Sequence, residues 1–205
     1  MVRVETRSQS RMQTPPDPIG EFQRLFEKAR RANRGDATVS TLATCDQNAR
    51  PSARSVLLKK VDDRGFVFYT NRNSRKAQEI DANPRAALCI YWPWLDTQVR
   101  VEGAVESLTD RESDAYFASR PRGSQLGAWT SKQSQPLASR RELLTRYLKM
   151  KKRFFNKPVP RPEFWGGYRI VPERMEIWHN KLNRLHDRFV YQRSGDSWTM
   201  SRLYP

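Results

Sequence analysis

From residue 38 to residue 108 the chain repeats one pattern, a short β-branched or apolar run followed by a compact turn. Residues 38–45 lead into Asp46-Gln47-Asn48, residues 52–61 into Asp62-Asp63-Arg64-Gly65, and residues 66–70 into a polar stretch. Turns this short join antiparallel neighbours, because each parallel crossover would need a dozen or more residues. Residues 86–92 form another run, and Val99, Val101, Gly103 and Val105 then alternate with Gln98, Arg100, Glu102 and Glu106 as in a half-buried strand. The pattern returns at 168–171, 174–179, 184–192 and 198–203, with Gly195-Asp196 as a hairpin turn.

Helices are expected around this β framework. Asp17-Pro18 is an N-cap followed by proline, and Ile19, Phe22, Leu25, Phe26 and Ala29 recur at helical spacing up to Gly35. A short helix is expected from Ser74 to about Ala82, closed by Asn83-Pro84. Further helices are expected at 110–119 and, after a turn near Pro121, at about 137–155. Leu144, Tyr147, Leu148, Phe154 and Phe155 give the last one an apolar side, and Pro158, Pro160 and Pro162 make an extended linker. The fold class expected is mainly β with peripheral helices (α+β), an antiparallel barrel in one domain at 17–205 behind a polar, Arg-rich tail at 1–16.

A chain of 205 residues with 37% hydrophobic residues can bury one substantial core. No apolar run reaches the roughly 18 residues of a membrane-spanning helix, and no secretory signal is visible. Two cysteines, Cys45 and Cys89, are too few for a disulfide framework or a cysteine zinc site, and a cytoplasmic setting is expected. Lys and Arg number 38 against 22 Asp and Glu, a net charge of +16. That surplus attracts nucleic acid, anionic membranes or phosphorylated small molecules, or serves as solubilising charge.

Four segments place cations where they can act. At Ser74-Arg75-Lys76 a strand hands over to a helix, whose free N–H groups and dipole favour an anion. Two cations there oppose the dipole, which a bound phosphate would compensate; a solvated pair is the alternative. The run from Arg54 to Lys59-Lys60 carries charges at both ends of an apolar stretch, fitting a buried strand whose ends reach either water or a ligand. Tyr116, Arg120 and Ser124 lie four apart and can grip a phosphate, although a surface helix also offers such residues. In Arg184-Leu185-His186-Asp187-Arg188 a period of two would put Arg184, His186 and Arg188 on one strand face, an arrangement that calls for an anionic or electron-rich ligand. Metal-ligand spacing, a Walker A loop, a G-x-G-x-x-G fingerprint and a G-x-S-x-G elbow are all missing. Phosphate-sized sites without a hydrolytic apparatus suggest a phosphorylated cofactor that carries the chemistry.

The segments RSVLLKK, FVFYTNRNSRKAQEI, QVRVEGAVE, YFASRPRGSQLGAWTSKQS, FWGGYRI and NRLHDRFVYQR, in this order and spacing, resemble the pyridoxine/pyridoxamine 5′-phosphate oxidase family. The resemblance covers residues 17–205 and implies an FMN-binding split β-barrel homodimer with FMN at the subunit interface. Carried over residue by residue, it assigns Arg54, Ser55, Val56, Leu57, Leu58, Lys59, Tyr69, Thr70, Arg75 and Lys76 to FMN. Gln98, Gln133, Ser134, Trp178 and Arg188 complete the implied flavin contacts. Lys59, Tyr116, Arg120 and Ser124 would hold the substrate phosphate, while Arg184, Leu185 and His186 would bind the substrate ring, Arg184 and His186 as the catalytic pair.

The implied reaction is hydride transfer from substrate C4′ to flavin N5 and reoxidation by O2 to hydrogen peroxide, yielding pyridoxal 5′-phosphate. No metal, membrane or nucleic-acid partner is expected. Two departures stand out. The tail has no tyrosine for the Arg-x-x-Tyr-like lid many members carry, and Trp178-His179-Asn180-Lys181 lacks the glycine frequent after this tryptophan. The rival readings are a sister flavin oxidase of the phenazine-biosynthesis type and, from another class, a basic nucleic-acid-binding barrel.

Overall fold

The computed structural model describes residues 17–205; the expected tail at 1–16 lies outside them. Helix α1 (Pro18–Arg31) starts where the sequence indicates, with Asp17 Oδ1 accepting hydrogen bonds from the backbone N–H of Ile19 (3.1 Å) and Gly20 (3.0 Å). Its apolar face, including Phe22, Leu25 and Ala29, is buried against the sheet.

Among the described residues, nine strands form one antiparallel sheet. They are β1 (Val39–Cys45), β2 (Pro51–Leu57), β3 (Lys60–Asp62), β4 (Gly65–Asn71), β5 (Arg85–Trp92), β6 (Thr97–Ser107), β7 (Trp165–His179), β8 (Asp187–Ser194) and β9 (Ser197–Arg202). The order is β2-β1-β5-β6-β7-β4-β3, with β8 on β7 and β9 on β8. Because β2 also touches β4, the sheet rolls up around its apolar face into an incompletely closed barrel. Phe22, Phe66, Phe68, Trp92, Val99, Ile170 and Met175 fill that barrel. A second cluster, Phe117, Leu126, Phe154, Val159 and Trp165, holds helices α3 (Asp110–Ser119), α4 (Arg122–Thr130) and α5 (Arg140–Arg153) together beside it. The barrel with peripheral helices is the expected class.

Several local expectations need correction. The run 52–61 is not one strand: β2 ends at Leu57, Leu58 is buried, and Lys59 N–H donates to Val67 O (2.8 Å) before β3 begins. Nor is β2 buried, since it lies at one end of the sheet order with alternating half-exposed side chains. The strands expected at 168–171 and 174–179 are one strand, β7, because a register shift between Glu102 and Gly103 accommodates Pro172. Gly103 is needed there, as a Cβ would meet Val171 O at 1.9 Å. The turn expected after Pro121 is helix α4. Helix α5 starts at Arg140 rather than near residue 137, and its Leu144 and Leu148 face solvent in this chain.

The strand expected from residue 184 starts at Asp187. Before it, Asn183 (φ 56°) and Arg184 (φ 62°) take the left-handed conformation within a short 3₁₀ turn, so strand alternation does not govern Arg184 and His186. Ser74 sits at the N-cap of helix α2 (Arg75–Ala82), but its side chain faces Thr70 and Lys76 instead of capping. Both cysteines are free, and among the described residues no helix is long and apolar enough to cross a membrane.

Candidate functional site

A cleft of about 600 Å³ opens between β2, β4 and the start of α2 on one side and α3–α4 on the other. It brings together Ser55, Val56, Leu57 and Lys59 from β2 and its kink, Tyr69 and Thr70 from β4, Lys76 from α2, Tyr116, Arg120 and Ser124 from α3–α4, and Gln133. Residues from five distant parts of the sequence thus meet in one place.

Lys76 is only 8% exposed. Its ammonium donates to Thr70 Oγ1 (3.2 Å), Gln133 Oε1 (3.3 Å) and Ser74 Oγ (3.4 Å), all neutral acceptors, while Thr70 in turn donates to Gln133 Oε1 (2.9 Å). Burial, reinforced by the nearby Arg54 charge, pulls its proton affinity below that of an ordinary lysine. A buried cation held by neutral groups is a ready partner for an anion.

Arg120 shows the same incompleteness on a different wall. Its guanidinium lies 4.7 Å from the Trp165 ring centroid and 5.5 Å from that of Phe117, and its Nη1 is buried without a hydrogen-bond partner. The aromatic platform is a stack: Tyr69 lies 4.0 Å from Tyr116 and 5.3 Å from Trp165, with interplanar angles of 16° and 6°. Strand β7 can press against this stack because Gly167 pairs with Tyr69, where a Cβ would come 2.7 Å from the Tyr69 ring. Burial, with neighbouring Tyr116, pushes the Tyr69 phenol up to about 12. Burial raises Tyr116 as well, so both rings remain neutral hydrogen-bonding groups at physiological pH.

The other assigned residues lie outside this cleft. Leu58 is core, and the Arg54 guanidinium turns to Thr44, Ser52 and Glu79. Arg75 is exposed and donates through Nε to Glu79 Oε1 (2.7 Å), which offsets the dipole penalty expected at this helix start. Ser134 is exposed in the left-handed conformation (φ 70°) just past α4.

Gln98, Trp178 and Arg188 form a second cluster at the far end of β7. Trp178 pairs across the sheet with Gln98 on one side and Arg188 on the other. Arg188 Nε donates to buried Glu176 Oε1 (2.8 Å). His186 rests against Trp178 with centroids 4.6 Å apart, and its Nδ1 accepts from Lys181 N–H (3.2 Å). The neutral imidazole therefore carries its proton on Nε2, free to donate outward. Arg184 and Leu185 are exposed beside it.

Sequence reasoning did not assign Trp165, Asn71 or Ser131 to the cleft they line. For Trp165 the signal was the Gly166-Gly167 pair behind it, which marks close backbone packing.

Comparisons with known proteins fit this geometry. Residues 26–152 match the family model described as pyridoxamine 5′-phosphate oxidase. Residues 165–205 match the one described as pyridoxine 5′-phosphate oxidase C-terminal dimerisation region. The pyridoxine/pyridoxamine 5′-phosphate oxidase of Rubrobacter xylanophilus is 57% identical over 93% of this chain and 88% of its own length. The enzyme of the same name from Myxococcus xanthus is 55% identical over 95% of both. Among solved structures, PhzG from Burkholderia lata in complex with tetrahydrophenazine-1-carboxylic acid superposes with a TM-score of 0.89 at 30% identity, covering 94% of this chain and 95% of that one. The chain belongs to the pyridoxine/pyridoxamine 5′-phosphate oxidase family.

Proposed function

We propose that this protein oxidises pyridoxine 5′-phosphate and pyridoxamine 5′-phosphate to pyridoxal 5′-phosphate, with FMN as cofactor and O2 as electron acceptor. The observation that carries this reading is a pair of cations on different walls of one cleft that meet no anionic partner among the described residues: buried Lys76, and half-buried Arg120 with its Nη1 buried and unpaired. Two such seats suit two phosphates, one on the cofactor and one on the substrate.

Lys76, with Arg75 and Arg54 on the same side, would hold the FMN phosphate, while Ser55 to Leu57, Lys59, Tyr69, Thr70 and Gln133 would line the rest of the cofactor. Arg120, Tyr116, Ser124 and Lys59 would grip the substrate phosphate, with the Tyr116–Tyr69–Trp165 stack fixing the guanidinium and excluding water. Bound FMN would supply the redox chemistry, a two-electron couple between the substrate C4′ carbon and O2 that yields hydrogen peroxide. The protein's part is positioning. His186, anchored on Trp178, presents Nε2–H to the substrate ring, and Arg184 orients the ring and places positive charge beside the reacting carbon.

The cleft and the Trp178 cluster are distinct surfaces of this chain, and the match of residues 165–205 to a dimerisation region supports a homodimer. We infer that the cleft of one subunit is completed by Arg184, His186, Trp178 and Arg188 of its partner. The likeness to PhzG favours a second reading, a sister oxidase acting on a different substrate. Anaerobic mixing of the purified protein with each phosphorylated vitamer separates the two. Bleaching of the flavin spectrum is the expected result, and a flavin left oxidised by both vitamers overturns the substrate assignment.

A further inference from the structure

Glu79 lies one turn into α2, outside the cleft lining, and is 5% exposed. Both of its carboxylate oxygens are committed. Oε2 accepts from Thr44 Oγ1 (2.5 Å), Ser52 Oγ (2.6 Å) and Arg54 Nη2 (3.0 Å), and Oε1 accepts from Arg75 Nε (2.7 Å). Burial favours the protonated form, but the hydrogen bonds from Ser52, Thr44, Arg75 and Arg54 outweigh it and leave the carboxyl at about 2. Glu79 is therefore an anion at every working pH.

Two of its partners, Arg54 and Arg75, are cations that the family resemblance assigns to the cofactor. Arg75 commits only Nε to Glu79, which leaves its two terminal nitrogens for a ligand. Arg54 is fixed through both terminal nitrogens, by Leu42 O, Thr44, Ser52 and Glu79. Charge is matched as well as geometry. Arg54, Arg75 and Lys76 carry three positive charges and Glu79 one negative, so this corner has a net charge of +2. A phosphate monoester near neutral pH carries about −1.5 to −2. Without Glu79 the corner would hold three uncompensated cations, with Lys76 buried beside Arg54.

We propose that Glu79 is a positioning residue for the cofactor phosphate, holding Arg54 and Arg75 in place beside the Lys76 seat and trimming the local charge to that of a phosphate dianion. This rests on the FMN reading above. A purely structural buried carboxylate would support any ligand of the cleft equally, whereas Glu79 grips two of the three cations assigned to the phosphate end.

Riboflavin, which lacks the phosphate, supplies the control. Flavin-free full-length protein is titrated with FMN and with riboflavin, following quenching of flavin fluorescence. Glu79→Gln is expected to weaken FMN binding by about 10-fold or more and riboflavin binding by less than about 3-fold, as loss of charge-assisted hydrogen bonds at the phosphate predicts. Ser52→Ala keeps every charge but loosens the Glu79 carboxylate, and is expected to weaken FMN alone by roughly 2- to 5-fold. Should Glu79→Gln fail to fold, as judged by circular dichroism, Ser52→Ala decides. Parallel loss of both flavins would reduce Glu79 to a structural role, and unchanged or tighter FMN binding would overturn the proposal. A wild-type protein that does not prefer FMN to riboflavin sinks the cofactor reading itself, a result separate from either of these.

Discussion

The cleft and the Trp178 cluster are built in opposite ways. In the cleft, Lys76 is buried and Arg120 half-buried, their orientations fixed by Thr70, Gln133 and an aromatic stack, and among the described residues neither meets an anion. In the Trp178 cluster, Arg184 is exposed on a left-handed backbone and His186 leans on one ring and one backbone N–H. The first surface already presents cations inside a formed cleft. The second offers exposed donors on the outside of the sheet, and on the proposed reading a partner subunit's cleft receives them. Consecutive left-handed conformations at Asn183 and Arg184, each worth about 1–3 kcal/mol of strain, mark a segment shaped for presentation rather than stability.

If the two surfaces meet across the dimer, each can be damaged separately. The largest effect is expected for Arg184→Ala, which should lower turnover by at least ~100-fold while FMN retention, read from the flavin absorbance of purified protein, stays within about 3-fold. Equal loss of both would return Arg184 to the cofactor site. Lys76→Met should do the reverse, weakening FMN by roughly 10- to 100-fold, the worth of a buried charge-assisted contact. Mixing and reassociating Arg184→Ala with Lys76→Met subunits then tests the comparison directly. Hybrid dimers would contain one doubly damaged and one intact site, so activity should return to about a quarter of wild type; no recovery would place both surfaces in one subunit's site. Ser124→Ala should be milder, raising KM by about 3- to 10-fold with kcat nearly unchanged, in steady-state assays with either vitamer.

The smallest effect concerns pH. Glu79 titrates near 2 when folded and at about 4.5 unperturbed, so its contribution to stability is complete above about 4.5 and is lost as pH falls towards 2. Acid-unfolding midpoints of wild type and Glu79→Gln should therefore converge over that interval. A constant difference would remove Glu79 from the acid limb.

Much of the fold was legible because its signals are local. The Asp17 cap, the turn at Asp62 to Gly65 and the hairpin at Gly195-Asp196 each need only a few neighbouring residues. The misses depended on distant partners. Helix α4 contains Gly123 and Gly127, poor helix formers, and is held by Leu126 in the helical cluster. Pro172 reads as a strand breaker, yet an extra residue beside it, Glu173, lets β7 continue along β6 with Pro172 opposite Gly103. The cationic residues of the cleft were visible as charges, but what makes them a site is burial, and burial of Lys76 is created by Thr70 and Gln133 from other parts of the chain. For Arg184 and His186, strand periodicity predicted a shared face; the grouping with Trp178 comes instead from a looped segment folding back on β7.

Strand β7 runs from Trp165, at the wall of the cleft, to Trp178, under His186, a path of at most about 43 Å at about 3.3 Å per residue. Side chains alternate along β7 except at the extra residue Glu173, where the core-facing set changes from Tyr168 and Ile170 to Met175 and Ile177, so alternation and this one bulge together fix the faces of the two tryptophans. Inserting or deleting one residue between them would turn one of them to the wrong side of the sheet, and no side-chain substitution could compensate. Spacing between the two surfaces is thus quantised: lineages that alter it must change β7 by two residues at a time or absorb the odd one in a bulge such as that at Glu173.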